Sequence, residues 1–278
     1  MMILHNVVFG SADNQPREDQ ERVIQDYLAA LLHAGQACGE YFFTWTDSLL
    51  NAHILLAGHN AHARRYHSKW GKKKLGEVVR VFGRQPEWTV IDDDAPKRNT
   101  SWRGAPFLLM ATDDFDWDSP VCRGDTGRAI PFYTLPIDFK HKEELYSWHR
   151  AYRDYDSLWL GCGPLEIPVY KQLALPKSEL SQEGRDLCER IEAATGVETY
   201  YYLMRYWGRR KGDEKRRCPD CGGAWSRPAA EGNSFRFFDF PFMCKKCRLV
   251  SHDAVYDHDE RYAHIGEHRS AKKKRTRG

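Results

Sequence analysis

Ile3-Leu4-His5-Asn6-Val7-Val8-Phe9, closed by Gly10-Ser11, opens the rhythm that decides the fold of the first third of the chain. A short run rich in apolar and β-branched residues, ended by a turn signal, reads as a buried strand. Pro16 to Ala34 follows with Val23, Ile24, Tyr27, Leu28, Leu31 and Leu32 at helical spacing, and Gly35 stops it. Gly39 to Trp45 and Asn51 to Ala57 read as strands joined through a turn at Thr46-Asp47-Ser48. His67 to Phe82 repeats the amphipathic pattern with Trp70, Leu75, Val78, Val79 and Phe82, and Trp88 to Ile91 closes with a strand. The order β-α-β-β-α-β predicts a ferredoxin-like α+β domain over residues 1–94, with two helices on one sheet face and the first and third strands central.

A polar linker leads into a mixed α/β middle region, residues 105–207. Phe107 to Ala111 and Phe132 to Leu135 read as short strands around a loop from Asp113 to Pro131. His141 to Leu160 reads as a helix broken by Gly161-Cys162-Gly163-Pro164. Leu165 to Leu173 and Ser181 to Thr195 read as helices, and Val197 to Trp207 as one aromatic strand. No internal repeat is present.

Beyond a basic linker from Arg209 to Arg217 stand Cys218-Pro219-Asp220-Cys221 and, after 22 residues, Cys244-Lys245-Lys246-Cys247. Each Cys-x-x-Cys makes a tight turn whose amides point at its sulfurs. Two such turns on neighbouring hairpins supply four thiolates at tetrahedral corners about 2.3 Å from Zn²⁺. That spacing predicts a C-terminal four-cysteine zinc ribbon over residues 215–256, holding one structural zinc ion through Cys218, Cys221, Cys244 and Cys247. Trp225 is placed near the metal, Pro228 to Asn233 at the distal turn, and Phe235 to Phe240 in a strand. A thioredoxin-like redox pair needs one such motif between a strand and a helix, not two. A [4Fe–4S] cluster shares the thiolate set and is the competing occupant. A closed four-thiolate shell leaves no position for water or substrate, so the site is structural.

Charge divides the chain. From Arg205 onward there are 19 Lys and Arg against 10 Asp and Glu, and before it 23 against 29. An acidic body with a basic end is one footprint of nucleic-acid binding, and also a way of staying dissolved. The candidate phosphate-contacting residues are Arg209, Arg210, Lys211, Arg216, Arg217, Arg236, Lys245, Lys246 and Arg248, with Lys272, Lys273, Lys274 and Arg275 in a basic disordered tail, residues 269–278. Phe235, Phe237, Phe238 and Phe240 offer faces for base stacking.

Other signals carry less. Asp114 to Asp118 resembles the start of a calcium loop, but Ser119 and Asp125 stand where an EF-hand needs Gly and Glu. His252, His258, His264 and His268 read as surface groups. No nucleophile elbow, phosphate-binding Gly loop or His-Glu-x-x-His is present, which favours a non-enzymatic protein with no small-molecule substrate evident. No stretch approaches the roughly 18 apolar residues of a membrane helix, and no basic residue precedes the first apolar run. These features predict a cytoplasmic protein without a membrane partner.

Several segments together resemble an uncharacterised bacterial family, the DUF2310 family of zinc-ribbon-containing, nucleic-acid-binding proteins. They are Pro131-Phe132-Tyr133-Thr134-Leu135-Pro136, Tyr155-Asp156-Ser157-Leu158-Trp159, Gly163-Pro164-Leu165-Glu166 with Tyr170-Lys171-Gln172-Leu173, Glu198-Thr199-Tyr200-Tyr201-Tyr202, and Cys244-x-x-Cys247-Arg248-Leu249-Val250-Ser251. The resemblance implies zinc, a bacterial cytoplasmic setting and nucleic acid. A sheet domain joined to a ribbon equally suits a protein-interaction module, such as an immunity or antitoxin protein that caps a toxin's active site.

Overall fold

The computed structural model describes residues 2–12, 14–91, 99–112, 119–225, 240–256 and 260–268. The chain divides into two compact units. The first comprises Met1–Ala105, Phe115–Arg123 and Arg128–Arg150; the second comprises Pro106–Asp114, Gly124–Gly127 and Ala151–Gly278.

The first unit runs β1 (Ile3–Gly10), α1 (Arg17–His33), β2 (Ala37–Thr46), β3 (Leu49–Leu56), α2 (Lys69–Phe82) and β4 (Glu87–Val90). Its strands pair antiparallel in the order β2-β3-β1-β4, so the first and third strands are central. Asp47 and Ser48, both at positive φ (49° and 66°), form the two-residue turn between β2 and β3. That mirror-image turn matches the right-handed twist of paired strands. Strand alternation sends Val7, Phe9, Leu50, Ala52, Ile54 and Leu56 into one core with Ile24, Tyr27, Leu28 and Leu31 of α1 and Leu75, Val78 and Phe82 of α2. Ser68 starts α2 by accepting the Gly71 N–H at 2.8 Å, the capping bond that an otherwise unpaired first-turn amide needs.

Two features of this unit differ from the sequence reading. Phe132–Thr134 is a 3-10 turn, not a strand. Pro131 and Pro136 flank it and lack the N–H that a ladder requires, and both the amide and the hydroxyl of Thr134 close on the Pro131 carbonyl. Within the expected loop, Val121–Arg123 forms a short strand β6, with Cys122 bridged to Ala129 and the Ile130 amide donating to the Val121 carbonyl at 2.7 Å. Three residues are too few for alternation to show. The acidic Asp114–Asp118 stretch lies outside the described residues.

The helix α3 (Phe139–Leu160) begins in the first unit and ends in the second. The second unit contains β5 (Leu108–Met110), α4 (Glu166–Ala174), α5 (Glu179–Thr195), β7 (Thr199–Tyr202), β8 (Trp207–Gly208), β9 (Phe242–Cys244), β10 (Leu249–Ser251), β11 (Val255–Tyr256) and α6 (Glu260–Ala263). Four strands lie in the order β5-β7-β10-β9, with β5, β7 and β10 mutually parallel and β9 antiparallel to β10. Leu108, Leu109, Tyr201, Leu249 and Val250 are fully buried in this sheet, and Leu187, Cys188 and Ile191 of α5 are buried with them. Parallel strands covered on both faces read as continuous apolar runs, as Leu108-Leu109-Met110 does.

The expected single strand from Val197 to Trp207 is two. After Tyr202 the Met204 amide turns to the Leu173 carbonyl (3.3 Å) and the Tyr206 amide to the Tyr170 hydroxyl (2.9 Å). Those bonds to α4 take the donors that a continuing ladder would use. Trp207 and Gly208 then pair in parallel with Val255 and Tyr256.

Candidate metal centre

The chain needs two sharp turns to bring its cysteine pairs together. The first follows Arg216, whose buried guanidinium lies 4.0 Å over the Phe242 ring and donates to the His252 carbonyl. Gly222 closes that turn, its amide donating to the Cys218 carbonyl at 2.8 Å while the Cys218 amide donates to the Gly223 carbonyl at 3.0 Å. Gly222 sits at φ +69°, and a Cβ there would stand 2.6 Å from Nε2 of His268. The left-handed backbone favours glycine here, and the His268 ring would have to turn away from any side chain at this position. The second turn joins β9 to β10, with Leu249 opposite Cys244. Arg248 takes φ +51° as the chain leaves it.

The four Sγ atoms of Cys218, Cys221, Cys244 and Cys247 lie within 4.8 Å of one another. Cys221 and Cys244 are 3.8 Å apart at sulfur, far longer than a disulfide. A tetrahedron with metal–sulfur bonds of about 2.3 Å has edges of about 3.8 Å, so the donor set fits a single ion. The sulfurs of a four-iron cluster, each bound to a different iron, stand further apart. Backbone amides assist. The Gly223 amide hydrogen bond pulls the Cys221 thiol down to about 7. Cys218 is pushed up to about 11 by burial, against hydrogen bonds from the Cys221 and Asp220 amides, and burial also raises Cys247. A cation among them would reverse the cost of gathering four thiolates in so small a volume.

The centre is built into the sheet of its unit. On its Cys247 side the chain continues as β10, which pairs with β7. The Tyr201 and Leu203 amides donate to the Arg248 and Val250 carbonyls at 2.8 and 2.9 Å. The helix α5 braces both turns. Arg185 binds Asp220 of the first at 2.8 Å, and Glu192 binds Arg248 beside the second at 2.9 and 3.1 Å. Seven residues is two helical turns, so Arg185 and Glu192 share one face. Trp225, 2% exposed, stacks on Phe242 at 6.1 Å between centroids.

The basic candidates divide by what they touch. Arg210, Lys211, Arg217, Lys245 and Lys246 are exposed and make no ion pair among the described residues. Arg209 pairs with Glu267 at 2.8 Å. Arg216 pairs with Asp213 at 3.3 Å, and burial lowers it to about 10. Arg248 is held by Glu192 and Glu198. Its hydrogen bond to Glu192 keeps it above its ordinary value. These three have structural partners that the sequence did not reveal. Arg236, Lys272, Lys273, Lys274 and Arg275 lie outside the described residues, as do Pro228 to Asn233 and the expected strand up to Asp239. Arg185, Glu192 and buried Arg205, which reaches Asp213 at 2.9 Å, carry no signal in the sequence. No local motif marks them, because their partners are 8 to 62 residues away.

The fold and the site together define an α+β protein in which four thiols converge on a metal-sized centre at a sheet edge. Residues 103–204 match the model described as Domain of unknown function (DUF2310), and residues 208–255 match Domain of unknown function (DUF8594). Two uncharacterised proteins of Haemophilus influenzae are each 32% identical over 166 residues, 58% of this chain. The chain spans 61% of the length of the first and 79% of the second. The chain belongs to the family of these uncharacterised Haemophilus influenzae proteins. The solved structure of Rv0793 from Mycobacterium tuberculosis aligns over 36% of this chain and 100% of its own, at 18% identity and a TM-score of 0.24, too low to carry an argument. No helix among the described residues is long and apolar enough to cross a membrane.

Proposed function

We propose that the chain is a non-enzymatic, cytoplasmic zinc-ribbon protein that binds nucleic acid through the basic surface around its metal centre. One observation carries the reading: the four sulfurs have the spacing of a single tetrahedral ion, and the turn between two of them presents Lys245 and Lys246 to solvent. Zinc suits four thiolates in a closed shell. It would fix both turns and leave no open position, so its part is structural. Solvated lysines at such a turn, with Arg210, Lys211 and Arg217, are free to neutralise phosphates. The tail Lys272 to Arg275 adds charge to the same third of the chain. The first unit is read as ferredoxin-like, a reading supported by its order β2-β3-β1-β4, its antiparallel neighbours and its two helices in one core.

A second reading, a protein-interaction module of the immunity or antitoxin kind, draws support from exposed apolar residues of the first sheet. Phe42 is 64% exposed, and Leu4 and Leu49 point to the same side, away from the helices. The test is binding of single-stranded RNA and DNA by the full chain and by a chain ending after His268, across a salt series. The nucleic-acid reading expects affinity that falls steeply with salt and a flatter slope without the tail. Absence of binding by the full chain near about 50 mM salt would end that reading and promote the second.

A further inference from the structure

We infer that the second unit holds a nucleotide-binding pocket of its own. A cavity of about 560 Å³ opens beside the first cysteine turn. Its walls are mainly apolar, formed by Leu175, Pro176, Pro219 and Ile265, and Lys171 and Lys177 are among the polar residues that line it. Cavities of roughly 300–1,000 Å³ with apolar walls and a few placed polar groups are the usual form of a small-molecule site.

The charge in the pocket selects the ligand. Two carboxylates line it, and each is already neutralised. Asp220 is bound by Arg185 at 2.8 Å. Glu267 is bound by Arg209 at 2.8 Å, Arg205 at 3.4 Å and His264 at 3.0 Å. Lys171 and Lys177 are exposed and have no ion pair among the described residues. The uncommitted charge is therefore positive, which calls for an anion. An inorganic phosphate is far smaller than the cavity and would leave its apolar walls wet. A sugar phosphate would set hydroxyls against proline and leucine. A nucleotide meets both demands: its phosphate answers the lysines, which serve as point-charge phosphate binders, and its flat base covers the apolar walls.

The walls are held in place. Gly266 lies so close to Ala174 that a Cβ would meet the Ala174 carbonyl at 2.7 Å. Pro219 and Asp220 belong to the turn that carries Cys218 and Cys221, so an occupied metal centre and a filled pocket stabilise the same segment. Lys245 and Lys246 do not line this pocket, so it stands apart from the basic surface proposed above.

Calorimetric titration of the zinc-loaded full chain with AMP, adenosine, inorganic phosphate and a 5′-phosphorylated dinucleotide tests the assignment. AMP should bind at least tenfold more tightly than adenosine or phosphate. Lys171→Ala and Lys177→Ala, both at exposed positions, should each weaken it about tenfold and leave zinc content unchanged. A dinucleotide that binds tenfold more tightly than AMP identifies the end of a strand as the natural source, and equal affinity identifies the free nucleotide. Absence of AMP binding, or AMP binding unaffected by both lysine substitutions, overturns the pocket. Neither result bears on strand binding by Lys245 and Lys246, which the salt series reads separately.

Discussion

Arg248 grips Glu192 through two N–H···O bonds of 2.9 and 3.1 Å, which ties the residue after the last cysteine to the last turn of α5. Glu192 also accepts the Thr199 amide at 3.0 Å, so one carboxylate joins helix, strand and metal turn. Burial opposes its ionisation, but the hydrogen bonds from Arg248 and Thr199 outweigh that and lower its pKa.

Replacing Glu192 by Gln should loosen the second turn. The pair is about a third exposed, so solvent screening limits its worth, and the loss should be on the order of 1 kcal/mol. The urea midpoint should fall, and a chelator should strip the metal faster. Because the folded carboxylate ionises below its ordinary value, its contribution is present above the unfolded pKa and disappears as pH falls through the folded one. An unchanged midpoint and metal off-rate would mean that the bonds do not brace the turn.

Gly222→Ala should destabilise the first turn by more than about 1 kcal/mol, the cost of a side chain at positive φ plus a clash. The contact is with His268, so adding His268→Ala should restore the steric part and leave the backbone part. Metal retention against a chelator distinguishes the two. Full recovery in the double variant would show that φ +69° costs nothing here.

The first unit should be acid-labile. His67 is buried, hydrogen-bonded to the Tyr27 hydroxyl at 3.0 Å and to Gln36, and burial lowers it to about 4. Burial also lowers His5 and His62, whose rings lie 5.9 Å apart. Unfolding lets each take up a proton near its ordinary value of about 6.5. Stability is therefore full above about pH 6.5 and declines as pH falls toward 4, by on the order of 2–3 kcal/mol for His67 alone. Urea denaturation followed by hydrogen exchange of the first unit's amides across this pH range reads it, near the stack of Trp88 on His62 at 5.1 Å. A midpoint flat from about pH 7 to about 4.5 would contradict it.

Nucleic-acid affinity should separate the exposed cations from the paired ones. Lys245→Ala and Lys246→Ala should each reduce the salt slope by about one contact and leave the fold intact. Arg216→Ala should instead impair folding, because its guanidinium packs on Phe242 and binds the His252 carbonyl inside the unit. Equal salt-slope losses for all three would show that burial does not sort them.

How much of this was legible depends on the range of the interaction. The strand Ile3 to Gly10 and the helices of the first unit declare themselves because alternation and 3.6-residue spacing are local. The two cysteine pairs do so because their spacing is a turn chemistry. The break after Tyr202 was invisible, since it depends on α4 offering a carbonyl and a Tyr170 hydroxyl more than thirty residues away. The bracing of both turns by Arg185 and Glu192 was invisible for the same reason. Basic residues read alike as sequence, and only their neighbours show that Arg216 and Arg248 serve the fold while Lys245 and Lys246 face solvent.

Four thiolates should hold one structural zinc ion. Elemental analysis of the purified chain, with Cys244→Ser and a Cys244→Ser/Cys247→Ser double variant in parallel, tests it most directly. The native protein should contain about one zinc per chain, and both variants should lose the metal and the β9–β10 pairing with it. Iron with a charge-transfer absorbance in place of zinc, or full metal occupancy in the double variant, would contradict it.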